Sequence, residues 1–442
     1  MDRAPHRRPR AFRPAAEPCE ARVTLSHSAA ADPVAHVLHL PGVAHPVRPN
    51  TPVLPFGEPS ATATFIDPSA RIDQGKRIVI GHQTYVAPYA TLDGSHGYIR
   101  IGGASAILDN ARLVANSARN RTLTGITIGD RVVIAQGARV FGQSTIGAYG
   151  PGAEPVYIGP NAIIDGATIA PGAFVSALAR VGPGITVPAG LKVLPGANIT
   201  TEAEATNPAL GKVAKITAAD LAVLSEELMV NPALASGYTS VYQGSSATGA
   251  SPGVTTSGIF NGALNTVEGT SREPGPRLVS FEPKAIGPQF LVPHRGVVVE
   301  GLFTGFRARV IGQAIFHEKA AQVAHRLGRS DSIRADVGQP LTFQPIGRLG
   351  NAVSIHAPLK GSLTVGPNFR ADDRAVILGG PNAIFGANVH IGAGAVVAQS
   401  SLGNNVTIGP SAYVAGSTLP ANTVVPPGAI VINNRVMGTV QS

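Results

Sequence analysis

The chain has 442 residues, 44% of them apolar, which is enough for two or three domains with buried cores. Its net charge of +9 forms no basic stripe interleaved with aromatic residues, so the composition argues against nucleic-acid binding. The single cysteine, Cys19, excludes an intrachain disulfide and a CxxC metal site, and no apolar run approaches the roughly 20 residues of a transmembrane segment.

Residues 1–45 are predicted to form a basic, disordered leader. The first 22 residues contain six arginines and three acidic residues, and they lack the apolar stretch of a standard secretory signal. The segment from Phe12 to Ser26 (FRPAAEPCEARVTLS) resembles short arginine-rich leaders of some exported bacterial proteins. That resemblance implies export or a cell-surface location, and the alternative is a basic tail on a cytoplasmic protein.

A period of six residues dominates the first half of the chain. Such a period fits neither a helix nor a long strand, but it fits a short strand followed by a tight corner. Three such units would make one triangular coil of about 18 residues, and coils would stack as a solenoid. The small residue beside each aliphatic one, as in Ile80-Gly81, is predicted to permit the corner backbone. The aliphatic series comprises Ile80, Val86, Leu92, Ile101, Ile107, Leu113, Ile128, Ile134, Val140, Ile146, Ile163, Ile169, Val175, Val181, Val187 and Val193.

The segment between residues 194 and 342 interrupts the repeat. Thr217 to Val230 is predicted to be a helix, with Thr217 as its N-cap, Asp220 three residues on, and Pro232 just beyond its end. Residues 236–276 are rich in Gly, Ser and Thr and are predicted to be a flexible linker. Residues 277–312 have an extended pattern, and His317 to Leu327 favours a short helix.

The six-residue period returns in the second half of the chain. We therefore predict an all-β solenoid, a left-handed parallel β-helix of hexapeptide repeats in two copies with short flanking α-helices. The first domain would span residues 46–235, and the second would span residues 277–442 with an N-terminal extension. The second series comprises Phe343, Leu349, Ile355, Val365, Ala371, Ile377, Phe385, Ile391, Val397, Leu402, Ile408, Val414, Leu419, Val425 and Val431.

Both halves resemble the γ-class carbonic anhydrase family. In the first half the resemblance lies in the entry, residues 46–97, and in the exit that begins with Val187-Pro188-Ala189-Gly190. In the second half it lies in segments 332–338 (SIRADVG), 353–357 (VSIHA) and 424–431 (VVPPGAIV). The Arg-x-Asp and His combination of the second half is more specific than the repeat, which many acyltransferases share.

The resemblance implies a zinc-dependent lyase that hydrates CO2. In that family three histidines hold a catalytic zinc and leave one position for water, which the metal acidifies until it becomes the nucleophile. The ligands come from two neighbouring subunits of a trimer. For this chain the resemblance implies a homo-oligomer, either a trimer or a pseudo-trimer joined through β-helix faces.

In the first half none of the family's three ligand positions carries a histidine. They fall on Val114, Gln136 and Phe141, whereas Asp109 matches an acidic position just before the first ligand. We therefore expect the first half to bind no metal of its own.

In the second half part of the family's site is retained. The first ligand position falls on His356, the second on Asp373 and the third on Leu378, while Arg334 and Asp336 keep the Arg-x-Asp pair. His356 and Asp373 are the candidate ligands for zinc, iron or cobalt, and Arg334 and Asp336 are the candidate catalytic pair. Alternatively, His356 is a hydrogen-bonded surface histidine, and the Arg–Asp pair is a structural ion pair.

The main interpretation is a γ-carbonic-anhydrase-like protein with degraded zinc sites, in which residual or altered CO2 hydration is confined to the second half. One alternative is a hexapeptide acyltransferase that uses a histidine as its general base. The other is a non-catalytic structural or surface-associated β-helix protein. The sequence leaves open whether the protein is an enzyme.

Overall fold

A computed structural model describes residues 64–67, 69–116, 124–243, 248–249, 255–257, 297–299, 308–312, 314–318, 320–337 and 340–441. The predicted leader and most of the predicted linker lie outside these residues. No helix among the described residues is both long and apolar enough to cross a membrane.

Residues 64–199 form the first β-helix, a left-handed parallel coil with three flat faces. We call its three parallel sheets face A, face B and face C. Face A is extended by Thr248–Gly249 at one end and by the antiparallel strand Val213–Lys215 at the other. Face C is extended by Thr255–Ser257. Face A contains Thr64–Ile66, Tyr85–Val86, Ala106–Ile107, Val132–Ile134, Val156–Ile158, Phe174–Val175 and Leu191–Val193. Face B contains Arg71–Asp73, Thr91–His96, Arg112–Asn116, Arg139–Gly142, Ile163–Asp165, Arg180–Val181 and Asn198–Ile199. Face C contains Ile78–Gly81, Tyr98–Ile101, Gly125–Ile128, Thr145–Ile146, Thr168–Ile169 and Thr186–Val187.

Residues 308–432 form the second β-helix, which has the same three-faced plan. We call its three parallel sheets face D, face E and face F. Face D is extended by the antiparallel strand Val297–Val299, and face E is extended by the antiparallel strand Arg435–Thr439. Face D contains Ala314–Phe316, Leu341–Phe343, Leu363–Val365, Ala383–Phe385, Ser401–Leu402 and Thr418–Leu419. Face E contains Ala308–Gly312, Asp331–Ala335, Ser354–His356, Val376–Leu378, Val396–Ala398, Tyr413–Ala415 and Ala429–Ile432. Face F contains Arg348–Leu349, Arg370–Ala371, His390–Ile391, Thr407–Ile408 and Val424–Val425.

The predicted six-residue series is the core of both β-helices. The residues of the two series are buried and stack on their counterparts one coil away, with one exception. The exception is Ile163, which is partly exposed, because its neighbour Ile164 points inward in its place. Adjacent side chains on a strand point in opposite directions, so a shift of one residue exchanges the inward and outward positions. The six-residue period alone selects Ile163, whereas Ile164 is the residue that points into the core.

At the corner after Ile80, the left-handed residue is not the glycine beside the aliphatic residue. Gly81 follows Ile80, but a Cβ there would lie 2.4 Å from the backbone N of Gly103 on the next coil. Glycine is therefore required for close packing of coils, and the left-handed backbone falls two residues later, on Gln83 at φ 55. This differs from the predicted role of that glycine.

The second β-helix fills one row of left-handed corners with asparagines. Asn tolerates the left-handed conformation better than most residues, because its short side chain hydrogen-bonds locally. Here the amides bond along the helix axis instead. Asn368 donates to Asn388 at 2.9 Å, Asn388 to Asn405 at 3.0 Å, and Asn405 to Asn422 at 3.0 Å. The side-chain ladder thus joins four successive coils.

Among the described residues, three α-helices flank the solenoids: α1 (Glu202–Thr206), α2 (Ala218–Gln243) and α3 (Ala320–Arg326). As predicted, Thr217 and Asp220 cap α2, because the Asp220 amide donates to the Thr217 hydroxyl and Asp220 Oδ2 accepts from the Thr217 amide. The predicted end of α2 before Pro232 is wrong, since the helix includes that proline and continues into the predicted linker. Pro232 removes one backbone bond, but residues 230–235 and Tyr238 are buried around it.

The two β-helices pack face A against face E. Phe65, Tyr85 and Val133 point outward from face A and join α2 residues and Ile311 in one buried apolar cluster. Farther along, Ala177 of the first β-helix packs with Val376 and Val396 of face E. Polar bonds follow the same boundary, where Asn110 donates to the Ser330 carbonyl and to the Ser354 hydroxyl, each at 3.1 Å.

The C-terminal segment returns to the end of the first β-helix. The Gln441 amide donates to the Gly196 carbonyl at 2.8 Å, and Val440 lies against Gly196. A Cβ on Gly196, whose φ is +69, would come within 2.8 Å of Val440. The end of the chain therefore adds a second connection between the two β-helices.

Candidate functional site

The candidate site lies where face A meets face E, and Arg334 is at its centre. Arg334 is 1% exposed, on the face E strand Asp331–Ala335. Its Nη1 lies 2.8 Å from Asp336 Oδ2, in the same β-helix. Its Nε donates at 3.1 Å to Asp109 Oδ2 of the first β-helix, and Nη2 lies 3.0 Å from the same oxygen. One guanidinium is therefore shared by carboxylates from both halves of the chain.

Hydroxyl groups from both halves add hydrogen bonds to this ion-pair cluster. Ser332 donates to Asp109 Oδ1 at 2.5 Å, and Arg334 Nη1 donates to the Tyr85 hydroxyl at 3.1 Å. The hydroxyl of Tyr238, from α2, donates to Asp336 Oδ2 at 2.7 Å. Tyr85 and Tyr238 stack with ring centroids 5.9 Å apart and separate the charges from solvent.

The electrostatics keep this cluster ionised despite its burial. Burial alone would raise the pKa of Asp336, but the Arg334 charge, the His356 ring and the Tyr238 hydroxyl together hold that pKa well below its ordinary value. Burial alone would lower the pKa of Arg334, but Asp109 and Asp336 raise it above its ordinary value.

His356, the predicted first ligand, lies at the edge of the same cluster and is 4% exposed. Its Nδ1 is 3.4 Å from Gln136 Nε2, so the structure brings together two of the predicted ligand positions, one from each half. Its Nε2 lies 3.6 Å from Asp336 Oδ1, which is longer than a hydrogen bond. Neither of these two atoms has a hydrogen-bond partner among the described residues.

Asp373, the predicted second ligand, lies elsewhere. It is exposed on a corner of the second β-helix, where its Oδ1 accepts from the Asn351 backbone amide at 2.7 Å. No contact joins it to His356 in the part of the chain that the structure describes. Of the four predicted site residues, Arg334, Asp336 and His356 are brought together and Asp373 is not.

The residues present do not fit a catalytic zinc site. Such a site needs three protein ligands, and only His356 Nε2 and Asp336 Oδ1 are placed as possible donors. The adjacent Arg334 guanidinium would repel a cation. Within the described ranges, no group of three or more His, Cys, Asp or Glu residues could hold a metal ion.

A second buried ion pair crosses the same boundary. Arg309 Nη2 lies 3.1 Å from Asp67 Oδ2, and both side chains are 1% exposed. Arg309 occupies the face E strand next to that of Arg334. Sequence reasoning missed this pair and missed Tyr85 and Tyr238 as partners, because no local pattern links residues 98 or more positions apart.

A basic groove of about 1410 Å³ lies on face F and its corners, away from the buried cluster. Arg348 and Arg370 are register partners on adjacent strands, and His390 follows on the next. Arg374 lies on the corner beside them, where its carbonyl accepts from Asn161 of the first β-helix at 3.1 Å.

Comparison with known proteins identifies similar solved structures but no family. No family model matches the chain, and no curated protein matches it. One similar structure is a hexapeptide transferase family protein from Anaplasma phagocytophilum, at 20% identity and TM-score 0.28, covering 40% of this chain and 93% of that one. Another is a protein assigned to the acetyltransferases from Desulfovibrio desulfuricans G20, at 12% identity and TM-score 0.30, covering 85% and 71%. Similarities this low carry no argument about function, and the γ-carbonic anhydrase class remains a prediction.

Proposed function

We propose that this is a non-catalytic hexapeptide-repeat β-helix protein in which a γ-carbonic-anhydrase-like interface site serves as a structural lock between two β-helices. The observation that supports the proposal most is the sharing of Arg334 between Asp109 of the first β-helix and Asp336 of the second. In this proposal the Arg-x-Asp pair holds the halves together, and His356 borders the lock.

Asp109 and one carboxylate oxygen of Asp336 are hydrogen-bonded within the protein. The carboxylate oxygens of Asp109 accept from Ser332 and Arg334, and Asp336 Oδ2 accepts from Arg334 and Tyr238. Removing one member of such a buried network costs about 3–5 kcal/mol, because its partner is left as an uncompensated charge. A site that binds substrate needs accessible groups, and these side chains are at most 2% exposed.

Acyl transfer is the second candidate function, favoured by the His356–Asp336 pair. A carboxylate beside an imidazole can orient the ring and stabilise its charged form, as a general base requires. The Nε2 to Oδ1 distance of 3.6 Å is within the range that binding of a substrate could tighten. The reaction would transfer an acyl group from a thioester donor to a hydroxyl or amine.

Metal content and activity assays on the full chain separate these functions. We expect no stoichiometric zinc, iron or cobalt after growth in metal-replete medium, no CO2 hydration, and no acyl transfer from acetyl-thioester donors. One metal per chain that His356→Ala removes would contradict the lock and support the anhydrase prediction. Acyl transfer that His356→Ala abolishes would support the second candidate.

Asp109→Asn tests the lock itself, with Asp165→Asn as its matched control. Asp165 makes a solvent-exposed contact of 3.7 Å with Arg180 on the same β-helix, so its loss should cost little. We expect Asp109→Asn to lower the free energy of unfolding by about 3 kcal/mol or more. Equal, small effects of the two substitutions would show that Asp109 does not join the β-helices.

A further inference from the structure

The groove on face F is lined by four arginines, and we call it the arginine groove. Arg348, Arg370 and Arg374 line the groove on face F, while Arg112 and Arg139 are register partners on adjacent strands of face B. Burial lowers the pKa of Arg139, and the charges of Arg374 and Arg112 lower it further. Arg374 is therefore close enough to the face B pair for mutual repulsion.

Arg348, Arg370, Arg374, Arg112 and Arg139 form no ion pair with a described residue. The groove also holds two aspartates, which contact other groups. Asp372 Oδ2 lies 3.0 Å from His390 Nε2, and Asp373 accepts from the Asn351 amide. The fourth arginine of the groove, Arg326, is paired with Glu318 at 2.7 Å.

We propose that the arginine groove binds a small ligand that carries two or more phosphate groups. A guanidinium donates two parallel hydrogen bonds to a phosphate, which a lysine cannot do. Arg348 and Arg370 lie on strands about 4.8 Å apart, so neighbouring anionic groups can each meet one guanidinium. A bound polyanion also relieves the repulsion among Arg374, Arg139 and Arg112. This inference does not depend on the structural lock.

The lining of the groove favours a small molecule over single-stranded nucleic acid. Nucleic-acid grooves of this kind stack bases on aromatic side chains, and the described residues that line this one include no Phe, Tyr or Trp. Asn368 and Asn388 supply neutral donors and acceptors at the rim, although both also bond within the asparagine ladder. The groove thus offers charge and amide groups without a stacking platform.

Isothermal titration of the full chain with sodium tripolyphosphate at low ionic strength tests the proposal. Orthophosphate is the single-group comparison, and we expect it to bind at least tenfold more weakly. The double variant Arg370→Gln/Arg374→Gln should weaken tripolyphosphate binding at least tenfold, since each arginine contributes charge-assisted bonds. Arg435→Gln, an exposed arginine on the C-terminal strand, is the matched control and should bind as the unaltered protein does.

Three results would overturn the proposal. The first is no tripolyphosphate binding by the unaltered protein, and the second is an equal loss in Arg435→Gln, which would indicate unspecific charge attraction. The third is binding only to phosphatidylserine vesicles, which would make the surface a membrane contact. The double variant removes like-charge repulsion, so we expect its melting temperature to be unchanged or higher. If the double variant fails to fold, Arg348→Gln alone replaces it, and we expect the same weakening of tripolyphosphate binding.

Discussion

At the scale of single residues, the proposed lock assigns a structural role to the catalytic-looking pair Arg334 and Asp336. Arg334 and Asp336 keep the spacing of the carbonic anhydrase family, yet in this chain Asp109 and two tyrosines from elsewhere in the chain complete the cluster. The identity of the residues at these two positions therefore does not determine their role. Their role depends on the other side chains that contact them.

Asp336 predicts an acid dependence of stability. Burial would raise its pKa, but Arg334, His356 and Tyr238 lower it overall, so the folded-state pKa lies below the unfolded value of about 3.9. A depressed carboxylate stabilises the fold above its unfolded pKa, and that contribution is lost as pH falls towards the folded pKa. We expect the unaltered protein to lose stability as the pH falls below about 4.

Thermal melts of Asp336→Asn across pH 3 to 6 check this expectation, since a neutral amide cannot titrate. Asp336→Asn should have a lower melting temperature than the unaltered protein near pH 6. The difference between the two melting temperatures should shrink as the solution is acidified. Asp165→Asn serves as the exposed comparison and should run parallel to the unaltered protein. A difference that stays constant from pH 6 to 3 would contradict the depressed pKa.

At the scale of elements, the asparagine ladder predicts an ordering of substitutions. Asn388 combines a left-handed backbone, φ 58, with two side-chain bonds to Asn368 and Asn405. Asn388→Ala loses the bonds and replaces Asn by a residue that tolerates the left-handed backbone less well, for a cost of about 2 kcal/mol. Asn388→Gly loses only the bonds and should cost about half as much.

Chemical denaturation of the two variants measures this ordering. Equal losses would show that the backbone conformation contributes nothing, and no loss in either variant would show that the ladder is dispensable.

The elements also show what the sequence could predict and why it stopped there. The core positions can be predicted from the sequence because each coil contacts only its neighbours, so the core residues recur at a short, regular spacing along the chain. Ile163 and Ile164 could not be distinguished, because both are aliphatic and the register depends on the whole coil. The end of α2 was misjudged at Pro232, because burial of this part of the helix is a tertiary effect that overrides a local breaker.

At the scale of the whole molecule, the two β-helices resemble two neighbouring subunits joined in one chain. Gln136 of the first half and His356 of the second meet at their boundary, which is the arrangement that the family resemblance implies for ligands from two subunits. The long-range pairs Asp109–Arg334 and Asp67–Arg309 had no signal in the sequence, because residues 225 or more positions apart leave no periodic trace. The trimer remains a prediction.

The central claim is that Asp109 and Arg334 lock the two β-helices together, and a double-mutant cycle tests it most directly. The free energies of unfolding of Asp109→Asn, Arg334→Met and the double variant are compared with that of the unaltered protein. We predict that the double variant loses at least about 2 kcal/mol less than the sum of the single losses, because each single variant leaves a buried charge unpaired. Additive losses would contradict the lock.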